Sequence, residues 1–104
     1  MIKTLSKTKQ EKIKIAIVGC GRVSKNHFNS IEKYKKDIKL VSICDSNNEI
    51  LKKYESKYKV KGYLDIVDML NNENLDLVSL CTPSGLHANQ TELCANFGVN
   101  IVTE

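Results

Sequence analysis

The chain has 104 residues, which is enough for one domain with a single core and excludes a complete enzyme of two ordinary domains. Its 41% hydrophobic and 27% charged residues, with five Gly and one Pro, are typical of a globular protein and exclude collagenous, low-complexity and disordered chains. Residues 1–12 carry four lysines against one glutamate, so they hold +3 of the net charge of +4 and the remainder is nearly neutral.

This charge distribution argues against nucleic acid as a partner, because such binders gather Lys and Arg on one face and this chain has only one Arg, Arg22. Residues 1–12 are predicted to form a flexible basic tail, with an adhesive arm as the alternative. The apolar run at residues 15–18 is too short for a signal peptide, and no stretch approaches the ~20 apolar residues of a membrane span. We therefore expect neither a nucleic acid nor a membrane as partner.

Four cysteines are separated by 24, 37 and 13 residues, without a Cys-x-x-Cys pair and without a His at zinc-ligand spacing. This pattern predicts reduced thiols in a cytoplasmic protein and no metal site. At Cys20, Cys44 and Cys81 a buried small hydrophobic side chain is favoured over a thiol nucleophile.

The first half of the chain predicts two strand and helix pairs. Residues 14–18 form an apolar run ended by glycine, as in a parallel strand buried on both faces. Helical spacing of apolar residues begins at Val23 and continues to the turn at residues 35–37. Residues 39–44 are the second strand, and the cap-type residues 46–48 precede a second helix with one apolar stripe.

The second half predicts three strands and two helices. The strands are expected at residues 60–63, 75–81 and 99–103, and the helices at 64–71 and 86–97. Leu64 is expected on the apolar face of the first of these helices. Five strands alternating with four helices predict an α/β fold, a doubly wound parallel sheet of the Rossmann type with right-handed crossovers.

A glycine pair follows the first strand, at the edge of the sheet where ligands of doubly wound folds bind. Gly19 allows a tight turn, and Gly21 lacks the Cβ that would keep a pyrophosphate away from the backbone amides. Ser24 stands at the third position of Gly-x-Gly-x-x-Gly and is still small. The pattern predicts a dinucleotide cradle, with a bare turn as the alternative.

Asp45 ends the second strand 24 residues after Gly21, close to the ~20 expected for a ribose-binding acid. A carboxylate there accepts hydrogen bonds from the adenosine ribose and repels a 2′-phosphate, so NAD is favoured over NADP. A helix N-cap is the alternative role for Asp45, alone or together with the first. Methyltransferases also keep an acid at this place.

The two histidines have different expected roles. His27 is predicted to pack between its helix and the sheet. His87 begins a helix at the ligand edge, where contact with a cofactor or substrate and local packing are equally favoured. Neither has a Ser or Cys partner that spacing identifies.

Together these motifs resemble the amino-terminal Rossmann domain of the Gfo/Idh/MocA oxidoreductases over about residues 13–104. The matching motifs are Gly-Cys-Gly-Arg-Val-Ser at 19–24, His27, Cys-Asp at 44–45, Cys-Thr-Pro-Ser-Gly-Leu-His at 81–87 and Val-Thr-Glu at 102–104. The run from Gly19 to His27 is similar to members that oxidise UDP-linked N-acetylglucosaminuronate at C3 for cell-surface polysaccharide synthesis. Other members act on inositol, glucose or other sugars.

The resemblance implies NAD as cofactor and a set of cofactor-binding residues. Gly19, Gly21 and the amides of Arg22, Val23 and Ser24 are implied to hold the pyrophosphate, Asp45 the adenine ribose, and Thr82, Pro83 and His87 the nicotinamide side. Glu104 is implied to open the Glu-Lys-Pro motif of the family. The lysine of that motif assists proton transfer and has no counterpart in this chain, so no catalytic residue is assigned.

We therefore expect a fragment of an NAD-dependent sugar or nucleotide-sugar dehydrogenase, with residues 13–104 truncated at that motif. The carboxy-terminal α+β domain that contacts the sugar is missing, so the chain alone is expected to be inactive, and the full-length protein to be a homo-oligomer. The alternatives are a stand-alone NAD(H)-binding module and a methyltransferase fold, which the Thr-Pro-Ser-x-x-His stretch disfavours. The last strand is expected to leave apolar surface at the sheet edge, which makes the isolated chain marginally stable or prone to associate.

Overall fold

Strands and helices alternate along the residues that the computed structural model describes, which are 11–21 and 24–103. In chain order they are β1 (Ile13–Val18), α1 (Ser24–Lys33), β2 (Ile38–Cys44), α2 (Asn48–Tyr58), β3 (Lys61–Tyr63), α3 (Ile66–Asn72), β4 (Leu77–Leu80), α4 (Ser84–Asn96) and β5 (Asn100–Thr103). This order confirms the predicted alternation of five strands with four helices. Residues 1–10 of the predicted basic tail lie outside the described residues.

The five strands form one parallel sheet in the order β3-β2-β1-β4-β5. Val18, the last residue of β1, pairs with Cys44 on one side and with Leu80 on the other, so the three central strands end at the same level. The chain runs outward from β1 in both directions, and the turns after β1, β2 and β4 therefore meet at a point where strand order reverses. The predicted doubly wound Rossmann architecture is confirmed.

Alternate residues of β1 supply the two faces of the sheet, as the two-residue period of a strand requires. Ile15 and Ile17 pack under α1 and α2, whereas Ala16 and Val18 pack under α3 and α4. Ala16 and Ile17 have no solvent exposure, which explains why the sequence of β1 is apolar without alternation.

Helix α3 begins later than predicted. The Asp65 side chain accepts a hydrogen bond from the amide of Asp68 at 3.2 Å, which makes Asp65 the N-cap and Ile66 the first helical residue. Leu64 thus precedes the helix and is 55% exposed, so its predicted place on the apolar helix face is wrong. Apolar spacing alone placed the helix start too early, because the capping side chain and not the apolar stripe determines where the helix begins.

Helix α4 begins two residues earlier than predicted, directly after Pro83. Proline has no amide hydrogen to lose and a backbone angle close to the helical value, so a helix readily begins beside it. The early start brings the first turn of α4 to the carboxyl edge of the sheet. No helix among residues 11–21 and 24–103 has the length and apolar character needed to cross a membrane.

Candidate functional site

A cavity of about 440 Å³ lies at the carboxyl edge of the sheet, over the ends of β1, β2 and β4. Gly19, Gly21, Asp45, Thr82 and Pro83 all contribute to its lining. Five of the predicted cofactor-binding residues are therefore brought together, although they come from three separate turns. His87 is not part of this lining, and the predicted residues Arg22, Val23 and Glu104 lie outside the described residues.

Gly19 is required by the fold itself. Its φ is +91°, a conformation that side chains with a Cβ rarely adopt, and an added Cβ would lie 2.9 Å from the backbone carbon of Cys81 and 2.9 Å from the backbone nitrogen of Thr82. The Gly19 amide also donates to the Cys44 carbonyl at 2.7 Å. The turn after β1 is thus held against the ends of both neighbouring strands.

The described residues do not require a glycine at position 21. Apart from its chain neighbours, an added Cβ would meet none of their atoms within 4 Å, and the residue is exposed at the cavity. Open space beside a glycine that precedes a helix fits close approach of a phosphate to the backbone. The cradle predicted for a pyrophosphate is therefore sterically open at Gly21.

Ser24 closes the same turn from the first residue of α1. It is fully buried, its hydroxyl donates to the Gly21 carbonyl at 2.5 Å, and its amide donates to the same carbonyl at 3.2 Å. A glycine or alanine at this position would have no hydroxyl to make the first bond. Serine thus keeps the small size that the third position of the motif needs and adds a hydrogen bond within the turn.

Asp45 bridges two turns through its carboxylate. One oxygen accepts from the amide of Cys20 at 2.8 Å, and the other accepts from the amide of Asn47 at 2.8 Å. The N-cap of α2 is Asn47, whose side chain accepts from the amides of Glu49 and Ile50, so the alternative of Asp45 as helix cap is wrong. Each carboxylate oxygen has more than one lone pair, which leaves Asp45 able to accept further hydrogen bonds from a ligand.

Thr82 is held by two residues of α4. Its hydroxyl donates to Gln90 Oε1 at 2.5 Å, and its carbonyl oxygen lies 2.6 Å from His87 Nε2. Gln90 and His87 both belong to α4, so the helix fixes the turn that precedes it. His87 therefore supports the Thr82–Pro83 turn from outside the cavity lining.

His27 packs between α1 and the sheet, as predicted. The ring is half-buried, and its Nδ1 is hydrogen-bonded to the hydroxyl of Ser79 on β4. Ser79 is 52 residues further along the chain and is 1% exposed. Because Ser79 is buried, its hydroxyl joins the sheet to α1 through His27 and is not an accessible nucleophile.

All four cysteines are buried and none is in a disulfide. Burial raises the pKa of Cys20 to about 12, with the nearby charge of Asp45 acting in the same direction, and burial likewise raises the pKa of Cys44 to about 12. Thiols with such pKa values stay protonated at neutral pH and are poor nucleophiles. Within the described part of the chain, no group of three His, Cys, Asp or Glu side chains is placed to hold a metal ion.

Leu64, Ile66, Leu86 and Gln90 also belong to the lining and were not among the predicted cofactor-binding residues. Leu64 and Leu86 are large apolar side chains that are 55% and 48% exposed. The only sequence signal for Leu86 and Gln90, the two of these residues on α4, is their spacing of four residues after the Thr-Pro turn. That spacing places Leu86 and Gln90 on one face of the helix.

A family model described as "Oxidoreductase family, NAD-binding Rossmann fold" matches residues 13–104. The WlbA dehydrogenase of Bordetella pertussis, whose crystal structure is in complex with NADH and UDP-GlcNAcA, is 40% identical to this chain with a TM-score of 0.87. That match covers 89% of this chain and 28% of the other.

Two other similar proteins act on different molecules. The scyllo-inositol dehydrogenase of Lactobacillus casei, solved with NAD(H) and scyllo-inositol, is 30% identical with a TM-score of 0.81, over 89% of this chain and 28% of the other. The D-apiose dehydrogenase of Paraburkholderia graminis is 31% identical over 101 residues, which are 93% of this chain and 26% of that protein. The chain thus spans about a quarter of the length of the relatives it matches.

Proposed function

The chain belongs to the Gfo/Idh/MocA oxidoreductase family as its NAD-binding Rossmann domain, and on that premise we propose that it is the cofactor domain, residues 13–104, of a nucleotide-sugar 3-dehydrogenase. The substrate class proposed is a UDP-N-acetylhexosaminuronate. Support comes from the 40% identity to a dehydrogenase crystallised with NADH and UDP-GlcNAcA. NAD, when bound, supplies the acceptor for a hydride from a hydroxyl-bearing sugar carbon.

The pyrophosphate is proposed to bind at the turn between β1 and α1. Gly19 sets the turn, Gly21 leaves its backbone open, and the amides of Arg22 and Val23 donate to phosphate oxygens, while the Ser24 amide donates to the Gly21 carbonyl at 3.2 Å and braces the turn. The Ser24 hydroxyl donates to the Gly21 carbonyl, which links the start of α1 to the glycine turn before ligand binds.

Asp45 is proposed to hold the adenine ribose, and its position in the cavity is the observation that carries the proposal. The two amides that it accepts fix the carboxylate beside the glycine turn. Its remaining lone pairs accept from the ribose hydroxyls, and its negative charge disfavours a 2′-phosphate.

The nicotinamide is proposed to lie beyond the turn after β4, towards the end of β5, which Glu104 follows in the sequence. Thr82 and Pro83 line the cavity that also contains Asp45, so they lie between the adenosine and nicotinamide ends of the cofactor in this proposal, and His87 orients them through the Thr82 carbonyl. The sugar and the groups that exchange its hydroxyl proton belong, in this proposal, to the rest of a longer protein.

The preference for NAD is tested by replacing the carboxylate of Asp45. In the Asp45→Asn variant we expect NADH affinity to fall about tenfold, because charge-assisted hydrogen bonds to the ribose become neutral ones. The ratio of the NADH affinity to the NADPH affinity should fall in the same variant. Fluorescence titration with both dinucleotides measures the change, and Asp37→Asn, in the turn before β2, is the matched control of equal charge. Equal affinity of the unaltered chain for NADH and NADPH would contradict the role of Asp45.

The substrate is tested in the full-length protein that contains this domain. We expect NADH to form with NAD and a UDP-N-acetylhexosaminuronate, and not with free inositol or D-glucose. Turnover of inositol or a free sugar alone would favour the other substrate class, for which the resemblance to the scyllo-inositol dehydrogenase is the supporting observation. A reading frame that ends after codon 104 would favour a binding module without catalysis.

A further inference from the structure

Gln90 presents unused hydrogen-bonding capacity at the wall of the cofactor cavity. Its Oε1 accepts from the Thr82 hydroxyl, and no acceptor among residues 11–21 and 24–103 is paired with its Nε2. A primary amide carries two N–H donors and two lone pairs on oxygen. One lone pair and both donors of Gln90 therefore remain for a ligand.

Apolar side chains also line the cavity that contains Gln90. Leu86 lies one helical turn before it on α4, and Leu64 lies in the turn after β3, so that both leucines line the same cavity as Gln90 and Asp45. Each is about half exposed in the protein alone, and an apolar ligand surface placed there would remove that area from water. The cavity thus combines apolar side chains with one primary amide and the carboxyl groups of Asp45 and Asp65.

We propose that Gln90 recognises the edge of the adenine base that carries the 6-amino group, an inference that rests on the proposed binding of NAD. The apolar faces of adenine lie against Leu64 and Leu86, while the ribose is held by Asp45 in the same cavity. Gln90 Nε2 donates to a ring nitrogen, and the remaining lone pair of Oε1 accepts from the 6-amino group, the pairing that glutamine makes with adenine elsewhere.

Thr82 acts in this arrangement as a positioning residue. Its hydroxyl donates to Oε1, so the rotation that points Oε1 towards Thr82 is favoured and the Nε2 end is left for the base. The His87 bond to the Thr82 carbonyl holds the same turn. Guanine has a carbonyl oxygen where adenine has its amine, which would set two acceptors against each other at Oε1.

The test compares NADH with reduced nicotinamide guanine dinucleotide by calorimetric titration of the 104-residue chain. We expect NADH to bind about tenfold more tightly, a ratio that reports the base alone because the phosphates, riboses and nicotinamide are identical. Gln90→Met should bring the ratio close to one. Gln90→Glu should also lower it, because a carboxylate still accepts from Thr82 but has no N–H to donate to the ring nitrogen.

These variants separate base recognition from support of the turn. If Gln90 served only to brace Thr82, Gln90→Glu would keep the ratio and Gln90→Met would weaken both dinucleotides equally. Asn89→Asp, an exposed position next to Gln90 outside the cavity, controls for the added charge and should leave the ratio unchanged. Thermal melts establish that each variant is folded.

Two results overturn the inference. Equal affinity of the unaltered chain for the two dinucleotides, or an unchanged ratio in folded Gln90 variants, would remove the role of Gln90 while leaving NAD binding intact. Failure of the folded, unaltered chain to bind NADH at all would instead contradict the proposed function on which the inference rests.

Discussion

Two glycines only two positions apart serve different purposes, and alanine at each should separate stability from binding. Gly19→Ala places a Cβ at 2.9 Å from backbone atoms at a φ of +91°, so we expect a loss of about 2 kcal/mol or more in the free energy of unfolding. The Cβ of Gly21→Ala meets no atom of the described residues beyond its chain neighbours, so we expect an unchanged melting temperature and weaker NADH binding. Urea titration and NADH titration of both variants measure the two effects. A Gly21→Ala chain that binds NADH normally would show that no phosphate approaches this backbone.

At the scale of elements, substitution of Asn47 separates the capping of α2 from the hydrogen bonds of the neighbouring Asp45 carboxylate. Asn47→Ala removes the side chain that accepts from Glu49 and Ile50, and we expect a loss of about 1 kcal/mol in the free energy of unfolding. The bond between Asp45 and Asn47 uses the Asn47 backbone amide, so NADH affinity should be retained. Asn48→Ala, one position along, is the control for the substitution itself. Equal destabilisation by the two variants would contradict the capping role of Asn47.

Local patterns in the sequence predict the elements better than the contacts between them. Apolar runs, glycines and capping residues act over a few positions, so the order of strands and helices and the glycine turn at Gly19 were predictable. The pairs His27–Ser79 and Thr82–Gln90 depend on side-chain directions in the finished fold, the first across two elements 52 residues apart. The apolar spacing of Leu64 predicts a helical residue, but the Asp65 cap makes Ile66 the first residue of α3, so Leu64 lies outside the helix. Contacts of this kind cannot be predicted until the register of the strands is known.

For the whole molecule, the edge formed by β5 should govern association. Phe97 and Val102 are 40% and 42% exposed, and among the strands of the described residues β5 pairs with β4 alone. Unpaired edge strands with apolar side chains invite pairing with another chain. We expect the 104-residue chain to self-associate in sedimentation experiments, and Val102→Lys to reduce that association. Lys61→Arg, on the opposite edge strand β3, is a control that keeps its charge. A stable monomer with a cooperative melt would contradict this prediction.

The stacked aromatic rings between α1 and α2 provide a spectroscopic signal of side-chain packing in this part of the molecule. Phe28 lies with ring centroids 5.2 Å from Tyr54 and 4.3 Å from Tyr58, and the chain has four tyrosines and no tryptophan. Circular dichroism in the near ultraviolet therefore reports mainly on tyrosines, half of which belong to this stack. Since α1 begins at Ser24, after the glycine turn, loss of that signal with helical dichroism retained would reveal that side-chain packing near the proposed cofactor site has loosened before the sheet unfolds.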